Sequence, residues 1–471
     1  MSFASGSGRM DAANTTNILR RLALGIFGAW LVTAAMFVTA YGQQNTGSAV
    51  DLAAAVDRAL TNDPQTSVTR SHQRLAELRI AEARTVNRPI VQFTQSATAS
   101  NNPVFVFGSR LEQARFRADN FALDALNHPR SLVNFRSLVS TQMPLFDQRQ
   151  ASIRVEQART ERKRADLQAE GTEQRIRFDV IRLFYGVILD KEMAAVDDGS
   201  LRSAEANRKK ARDMFEVGIA TEADPLAAEV EVANAAQRKI ETEDRLATSR
   251  AAFSLKLGDG VDGLIDPTGS LNEKYFPLED QAALIKTALE LRPDYLAAKA
   301  NVENRQRDTK AVKNTALPRV DAFGNFGYSS PYLANGSSDY TVGVNLTFTL
   351  FDPGRKARIA QAAEGEVLAD SELRVLADRI RLDVVKALQD HKTAKAKIEA
   401  SIKSISQAEA ALAIVRNRYE VGLSTFDEVI RAELAAVNAK YSLLRARYDH
   451  YVSYAALLLA TGQLTDVRLF Y

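Results

Sequence analysis

Cysteine is entirely missing from this chain of 471 residues, and histidine is nearly so. Without cysteine the protein has no disulfide framework, no thiolate metal site and no cysteine for lipid attachment. The four histidines, His72, His128, His391 and His450, are scattered along the sequence. We therefore predict no metal site and no cofactor.

An excess of charge of either sign is also missing. The chain carries 61 Lys and Arg against 58 Asp and Glu, so it has no basic field that would attract nucleic acid. Sequence motifs of common enzymes are absent as well, namely His-Glu-x-x-His, Gly-x-x-x-x-Gly-Lys and Gly-x-Ser-x-Gly. These absences predict a protein that is neither an enzyme nor a binder of nucleic acid.

Long apolar runs are confined to one place near the N-terminus. Arg20 and Arg21 precede residues 22–40, which carry no charge, and small residues follow. This pattern is typical of a secretory leader, so we predict a signal peptide over residues 1–42, cut before Gln43. An uncleaved single-span anchor is the alternative. No second run of spanning length follows, so any later membrane crossing must use strands.

What the chain does contain is a tandem duplication. Residues 215–221, FEVGIAT, are echoed by residues 419–425, YEVGLST, at an offset of 204. The tripeptide Leu-Phe-Asp ending at Asp147 recurs at Asp352, and Gly258 corresponds to Gly462. Because these landmarks keep nearly one spacing, and because the period is far longer than that of any solenoid repeat, each repeat must be a large unit.

The first repeat is predicted to span residues 43–277. Apolar and polar residues alternate in two places, which predicts strands, and apolar stripes at helical spacing predict helices. The predicted elements are strands at about 89–100 and 133–146, a long helix at about 147–217 and a return helix at about 224–257. Residues 50–88 are predicted to be helical with one break, and residues 101–131 to form a loop with a short helix around 109–117.

The second repeat, residues 278–464, is predicted to follow the same order. Its elements are a helical stretch at 278–317, strands at about 318–328 and 340–351, a long helix at about 352–421 and a return helix at about 424–461. Residues 465–471 form a C-terminal tail, for which the sequence leaves open an equatorial position or disorder.

The helix lengths indicate how the elements pack. Each long helix spans about 105 Å, whereas each return helix spans about 60 Å. Two short helices laid end to end therefore match one long helix. We expect the first return helix to stack with residues 278–317 and the second with residues 50–88.

The four strands have about the length of tilted strands that cross an outer membrane, and each has one apolar face. Four strands cannot close a barrel, and open edges in lipid would leave backbone groups unpaired. Two copies would give eight strands around a filled interior, whereas three copies give twelve strands with room for a lumen. We therefore predict an α+β fold that is mostly α, with a twelve-stranded barrel shared in a homotrimer.

These repeats, junctions and helix tips together resemble the TolC-type outer membrane efflux protein family over about residues 50–464. The resemblance implies a barrel in the outer membrane of a Gram-negative bacterium. It also implies that long antiparallel coiled-coil helices form a periplasmic α-barrel. The implied partners are a periplasmic adaptor protein, an inner-membrane pump of the RND or ABC type reached through the adaptor, and membrane lipid.

The resemblance also implies which residues act at the helix tips. The residues at positions that meet the adaptor are Val217, Gly218, Ile219, Ala220, Val421, Gly422, Leu423 and Ser424. The residues at positions of the periplasmic gate and entrance are Asp224, Tyr419, Glu428 and Arg431. Ser424 stands where a gating arginine is expected, and Arg431 stands where a second carboxylate is expected. A simpler interpretation is that the glycines only end helices and that Glu428 only stabilises a helix N-terminus.

The function predicted from the sequence is a passive exit duct of a tripartite efflux pump or a type I secretion system. The alternatives are a structural periplasmic coiled-coil adaptor and a scaffold that spans the envelope without a pore. An adaptor would need lipoyl-like and β-barrel domains, and the sequence shows no such segment. In the loop at 101–131, the phenylalanines are expected to fold back over the barrel mouth or to pack on a neighbouring chain, with an exposed binding patch as the alternative.

Overall fold

The computed structural model describes residues 49–263 and 265–470. The predicted signal peptide at 1–42 lies outside the described residues. The elements up to the first helix tip and its return are β1 (Ala49–Val50), α1 (Leu52–Asn62), α2 (Pro64–Ala83), β2 (Ile90–Ser100), α3 (Pro103–Glu112), α4 (Leu123–Asn127), β3 (Leu132–Phe146), α5 (Gln150–Glu216) and α6 (Ala223–Leu257).

The remaining elements repeat this order without the insertion between the first two long strands. They are β4 (Asp266–Pro267), α7 (Gln281–Leu291), α8 (Pro293–Asn314), β5 (Arg319–Ser330), β6 (Ser337–Thr347), α9 (Arg355–Glu420) and α10 (Phe426–Ala460). The predicted mostly helical α+β fold with two tandem repeats is confirmed. None of the described helices combines the length and hydropathy of a membrane span.

The helices form one curved layer. Helices α5 and α9 have 67 and 66 residues, which gives each a length of about 100 Å. On the half of the layer nearer the strands, the helices lie in the order α2, α5, α8, α9, and on the other half in the order α6, α5, α10, α9. Within the described chain, α2 and α6 therefore form one edge of the layer and α9 forms the other.

The end-to-end stacking of the short helices differs from the prediction. Helix α6 ends against the junction of α1 and α2, where the Asn62 side chain donates to the carbonyl of Leu257 at 3.0 Å. Helix α10 ends against the junction of α7 and α8, where Arg292 donates to the carbonyl of Ala460 at 3.4 Å. The predicted stacking partners were therefore wrong, because they are exchanged between the repeats. All four helical stretches are nearly equal in length, so length alone did not distinguish the two pairings.

The four long strands form one antiparallel sheet in the order β2, β3, β5, β6. Paired residues share a face, so the register assigns the faces: Phe93, Val139, Phe326 and Tyr340 follow one another across the apolar face. The opposite face is mostly polar. The predicted four strands, each with one apolar face, are thereby confirmed.

Strand β6 begins three residues before the predicted position and ends at Thr347. Thr347 pairs with Arg319, the first residue of β5, so the chain offers no further partner for residues 348–350. At the other end, Ser337 pairs with Ser329, so the strand includes residues that lay between the two predicted strands. Apolar and polar residues continue to alternate after Thr347, where the hydrogen bonds to β5 end. The prediction followed this alternation and therefore placed the end of the strand too late.

The segment between β2 and β3, residues 101–131, is helical where the sequence analysis placed a loop. Asn102 caps α3, because its side chain accepts a hydrogen bond from the Phe105 amide at 3.1 Å, and Pro103 occupies the first turn. The short helix expected around 109–117 lies instead at Pro103–Glu112. An asparagine followed by proline was the helix-start signal that the prediction overlooked.

The largest core lies at the equator, where the short helices meet end to end. The side chains of Ile176, Phe253 and Leu464 are fully buried there, together with Phe470, which is 2% exposed. The hydroxyl of Tyr185 donates to the carbonyl of Phe470 at 2.8 Å. The tail therefore takes the equatorial position rather than the disordered alternative.

Two of the scattered histidines meet at this core. The rings of His391 and His450 stack with centroids 4.5 Å apart, and Phe276 packs beside both. Burial lowers the pKa of His391 to about 4, and the neighbouring His450 ring adds to this effect. Burial also lowers the pKa of His450, so this core favours the neutral form of both rings.

The stacking of α10 on the α7–α8 junction predicts an unequal response to two glycine substitutions. Gly462 and Gly218 both have positive φ, at 74° and 79°. A Cβ at Gly462 would lie 2.9 Å from the backbone carbon of Leu291, whereas a Cβ at Gly218 would meet no atom within 4 Å. Left-handed strain alone costs about 1 kcal/mol, so we expect about that loss for Gly218→Ala. For Gly462→Ala we expect a further loss of about 1–3 kcal/mol, because overpacking adds to the strain.

Thermal unfolding followed by the helical circular dichroism signal would measure both variants. Equal melting temperatures for Gly462→Ala and Gly218→Ala would contradict the stacking contact.

Candidate functional site: the paired helix tips

Each long helix ends at a tip that reverses the chain. At the first tip the Ile219 amide donates to the Met214 carbonyl at 2.9 Å, and the Gly218 amide donates to the Phe215 carbonyl at 3.0 Å. At the second tip the Leu423 amide donates to the Arg418 carbonyl at 2.8 Å, and Gly422 donates to Tyr419. Both tips are Schellman motifs, in which a glycine takes the left-handed conformation that residues with a Cβ avoid.

The two tips lie side by side and present apolar side chains to solvent. Ile219 lies 3.9 Å from the position that a Cβ on Gly422 would occupy. Val217 and Val421 are 69% and 67% exposed, and Ile219 and Leu423 are similarly exposed. Such a cluster of exposed apolar residues at the end of a long hairpin is typical of a surface that another protein covers.

Beneath the tips, Tyr419 connects the two hairpins. It is buried with Phe426 of α10 and Met214 of α5 in a small apolar cluster. Its hydroxyl donates to Asp224 Oδ2 on α6 at 3.3 Å, while Thr221 donates to Asp224 Oδ1 at 2.9 Å. Burial raises the pKa of Tyr419 to about 12, and the Asp224 carboxylate adds to this effect. The structure thus brings the predicted pair Tyr419 and Asp224 together.

The other predicted entrance residues bond locally at the start of α10. Thr425 caps this helix, and its hydroxyl accepts from the Glu428 amide at 3.4 Å. The Ser424 hydroxyl donates to the Glu428 carboxylate, which lowers the pKa of Glu428, and the bond of Thr425 lowers it further. Arg431 pairs with Asp427, one turn earlier on the same helix. Within one chain, Glu428 and Arg431 thus bond to neighbours on their own segment, whereas Tyr419 and Asp224 bond to each other.

The sequence analysis missed a second set of contacts between the hairpins. Arg416 of α9 donates to Ser203 Oγ of α5 at 2.7 Å and pairs with Glu433 of α10. Closer to the tip, Lys210 of α5 pairs with Glu420 of α9. Glu420 belongs to the repeated motif, so its repetition was a signal, whereas nothing in the local pattern distinguished Arg416.

The contacts found in the tip region are apolar packing, hydrogen bonds and ion pairs. In the part of the chain that the structure describes, no three His, Cys, Asp or Glu side chains gather so as to hold a metal ion. The arrangement instead fastens one coiled-coil hairpin to the other through polar side chains that are partly exposed.

If these contacts hold the hairpins together, removing the contacts should separate the two tips. Tyr419→Phe and Arg416→Gln each delete a bond between hairpins, and each should cost about 1 kcal/mol of tip closure. Because the protein has no cysteine, spin labels at Val217→Cys and Val421→Cys would be confined to the two tips and would report distances between them. We expect a longer and broader distance distribution in the double variant. Arg212→Gln, which removes an exposed arginine that pairs within α5, should leave the distribution unchanged. An unaltered distribution in the double variant would show that these bonds do not hold the tips together.

The chain resembles known proteins in both sequence and structure. Residues 284–463 match the sequence model of the family described as outer membrane efflux protein. The chain is 25% identical over 329 residues to the outer membrane efflux protein BepC of Brucella suis, covering 69% of this chain and 71% of that protein. It is 21% identical over 467 residues to the alkaline protease secretion protein AprF of Pseudomonas aeruginosa, covering 96% of this chain and 90% of that protein.

A solved structure shows the same fold. The outer membrane protein VceC from Vibrio cholerae superposes with a TM-score of 0.71 at 16% sequence identity, covering 87% of this chain and 96% of that chain. The relatives and solved structures of this kind are named as outer membrane proteins and outer-membrane channels. The predicted resemblance to the TolC-type outer membrane efflux proteins and the predicted outer-membrane location are therefore confirmed.

Proposed function

We propose that three copies of this chain form an outer-membrane channel-tunnel that is the passive exit duct of a tripartite efflux pump or a type I secretion system. The observation that carries the proposal is the open four-stranded sheet, whose edge strands are β2 and β6. Unpaired backbone groups at such edges are costly in lipid, so copies must pair edge to edge. Three copies give twelve strands and a lumen.

The helical layer supports the same closure. Helix α9, at one edge of the layer, exposes a series of apolar side chains that includes Leu368, Val375 and Leu382. Helix α2, at the other edge, exposes Leu75 and Leu78. Contact between α9 of one copy and the α2–α6 edge of the next would bury these side chains. The helices would then close into a periplasmic α-barrel below the shared barrel.

We further propose that the exposed tips are the docking surface of a periplasmic adaptor protein. The docking residues are Val217, Gly218, Ile219, Ala220, Val421, Gly422, Leu423 and Ser424. An inner-membrane pump of the RND or ABC type would act through this adaptor. The relatives support both branches of the proposal, because BepC is named for efflux and AprF for protease secretion.

The entrance is proposed to lie where the tips of three copies converge. There Tyr419 and Asp224 keep the two hairpins of each copy together. Three copies of Glu428 would ring the axis and attract cations, and Arg431 would offset part of this charge. The chain would carry out no catalysis, and its cargo would be selected by the pump.

The alternatives proposed from the sequence are a coiled-coil adaptor and an envelope scaffold without a pore. Neither explains an amphipathic sheet with two open edges and a mostly polar face opposite the apolar one. The two repeats, at 43–277 and 278–464 with a tail at 465–471, are best understood as two copies of one barrel-and-hairpin unit.

The duct hypothesis predicts a trimer that conducts ions. Purified protein in detergent should have three times the mass of the mature chain by light scattering, because only three copies give twelve strands and an open lumen. Reconstituted in planar bilayers, it should give discrete conductance steps. A monomer that stays in solution without detergent would contradict the proposal, as would a trimer that never conducts.

The docking hypothesis predicts a separation of conductance from pump function. Val217→Asp combined with Val421→Asp places charges on the exposed tips, so it should abolish cross-linking to the adaptor and drug tolerance or secretion. The charge lies outside the barrel, so conductance in bilayers should persist. Glu229→Ala, an exposed change on α6 away from the tips, should affect neither. Full pump function in the doubly charged variant would contradict docking at the tips.

A further inference from the structure

The polar face of the sheet carries an arginine that joins three elements at the end of the sheet distant from the long helices. Arg136 of β3 donates to Ser329 Oγ of β5 at 3.0 Å and to Asp339 Oδ1 of β6 at 3.2 Å. Gly327 lies between them, and a Cβ there would come within 2.9 Å of the guanidinium and 2.7 Å of Asp339. The glycine therefore lets Arg136 reach across β5.

The insert, defined as residues 101–131, is fastened onto this same face. Glu112, at the end of α3, lies 2.9 Å from Arg136 Nη1 and accepts from Ser329 Oγ at 3.2 Å. The next residue, Gln113, is only 3% exposed and donates to Asn134 Oδ1 at 2.9 Å and to the Val133 carbonyl at 3.0 Å. Asn134 and Arg136 both point to the polar face, so the insert lies over that face and not over the apolar one.

The insert is held together as a folded unit by edge-to-face contacts between aromatic rings. Phe116 lies edge-on to Phe107 at 4.7 Å and to Phe121 at 5.0 Å between centroids. These contacts tie α3 to the turn that follows it. The insert folds back on the polar face of the sheet, and the expected position of its phenylalanines over a barrel mouth stays a prediction. A compact unit can block a passage that a loose loop would leave open.

We propose that the insert is an outer gate, held inward by Arg136, which narrows the exit of the channel. The inference depends on the proposed duct, because only in a closed barrel does the polar face line the lumen. In that barrel the apolar face meets lipid and three inserts project toward one axis. Their position at the helix-distal end places them at the outer mouth.

The charges that face Arg136 make the gate one that can open. Glu112 from α3 and Asp339 from β6 both contact the guanidinium, and their side chains are 44% and 42% exposed. Contacts between charges that solvent reaches are weak. These ion pairs can therefore break when cargo presses on the insert. Opening would also break the two buried hydrogen bonds of Gln113, while the hydrogen-bonded sheet beneath stays intact.

Cysteine labelling tests the gate from outside the cell. The chain has no cysteine, so Thr341→Cys introduces a single thiol on the polar face of β6, deeper than Asp339. A membrane-impermeant maleimide should label it slowly while the insert is present. Ser100 pairs directly with Leu132, so a two-residue Asn-Gly turn can replace residues 101–131. In that background we expect labelling to be about tenfold faster, because a lid sequesters the space beneath it.

A point variant and two controls sharpen the test. Arg136→Gln should also speed the labelling of Thr341→Cys, whereas Arg115→Gln, an exposed change in the same insert, should not. Ala334→Cys, in the exposed turn between β5 and β6, should label equally in all backgrounds and report correct folding. Equal labelling rates at Thr341→Cys with and without the insert would overturn the gate proposal and leave the duct proposal intact. No labelling at Thr341→Cys in the shortened protein, with normal labelling at Ala334→Cys, overturns the lumen-facing assignment and the duct with it.

Discussion

The pairing of backbone groups at the edges of the sheet is the constraint on which the rest of the structure depends. Every inner strand has two partners, but β2 and β6 each have one within the described chain. In water such edges would be tolerated, whereas in hydrocarbon each unpaired group is costly. The apolar face requires lipid and the edges require neighbours. In the proposed trimer, edge pairing between copies would therefore be a condition of membrane insertion.

The helical layer meets a related constraint at its equator. A helix end leaves backbone carbonyls unsatisfied, and end-to-end stacking would bury them. Glycines at 258 and 462 turn the chain back, and the side chains of Asn62 and Arg292 complete the caps from the helices beneath. Two interrupted helices thus flank each continuous one without an unpaired junction. This arrangement lets the layer extend about 100 Å, far beyond the length of ordinary helices.

The sequence predicted the helices and strands whose apolar residues repeat at a regular spacing. It missed the features that depend on contacts between residues far apart in the chain. Alternation over residues 340–350 located a strand, but only pairing with Arg319 decided that it ends at Thr347. Helix lengths predicted that the short helical stretches stack in pairs. Because the four stretches are nearly equal in length, their lengths did not determine which two stretches stack on each other. The motif around Gly422 located the tip and the family resemblance added Tyr419. The contact of Arg416 with Ser203 joins residues 213 positions apart, and no local pattern indicates it.

The distribution of burial explains why the middle of the molecule is stiff and its ends are adjustable. At the equator, aromatic and aliphatic side chains such as Phe253 and Phe276 are fully or almost fully buried, and tight packing resists displacement. At the tips and at the outer end of the sheet, several of the fastening contacts are partly exposed ion pairs, as between Lys210 and Glu420 and between Glu112 and Arg136. Such pairs contribute little stability. In the proposed duct, opening would therefore take place at the two ends, because the closely packed equator resists displacement.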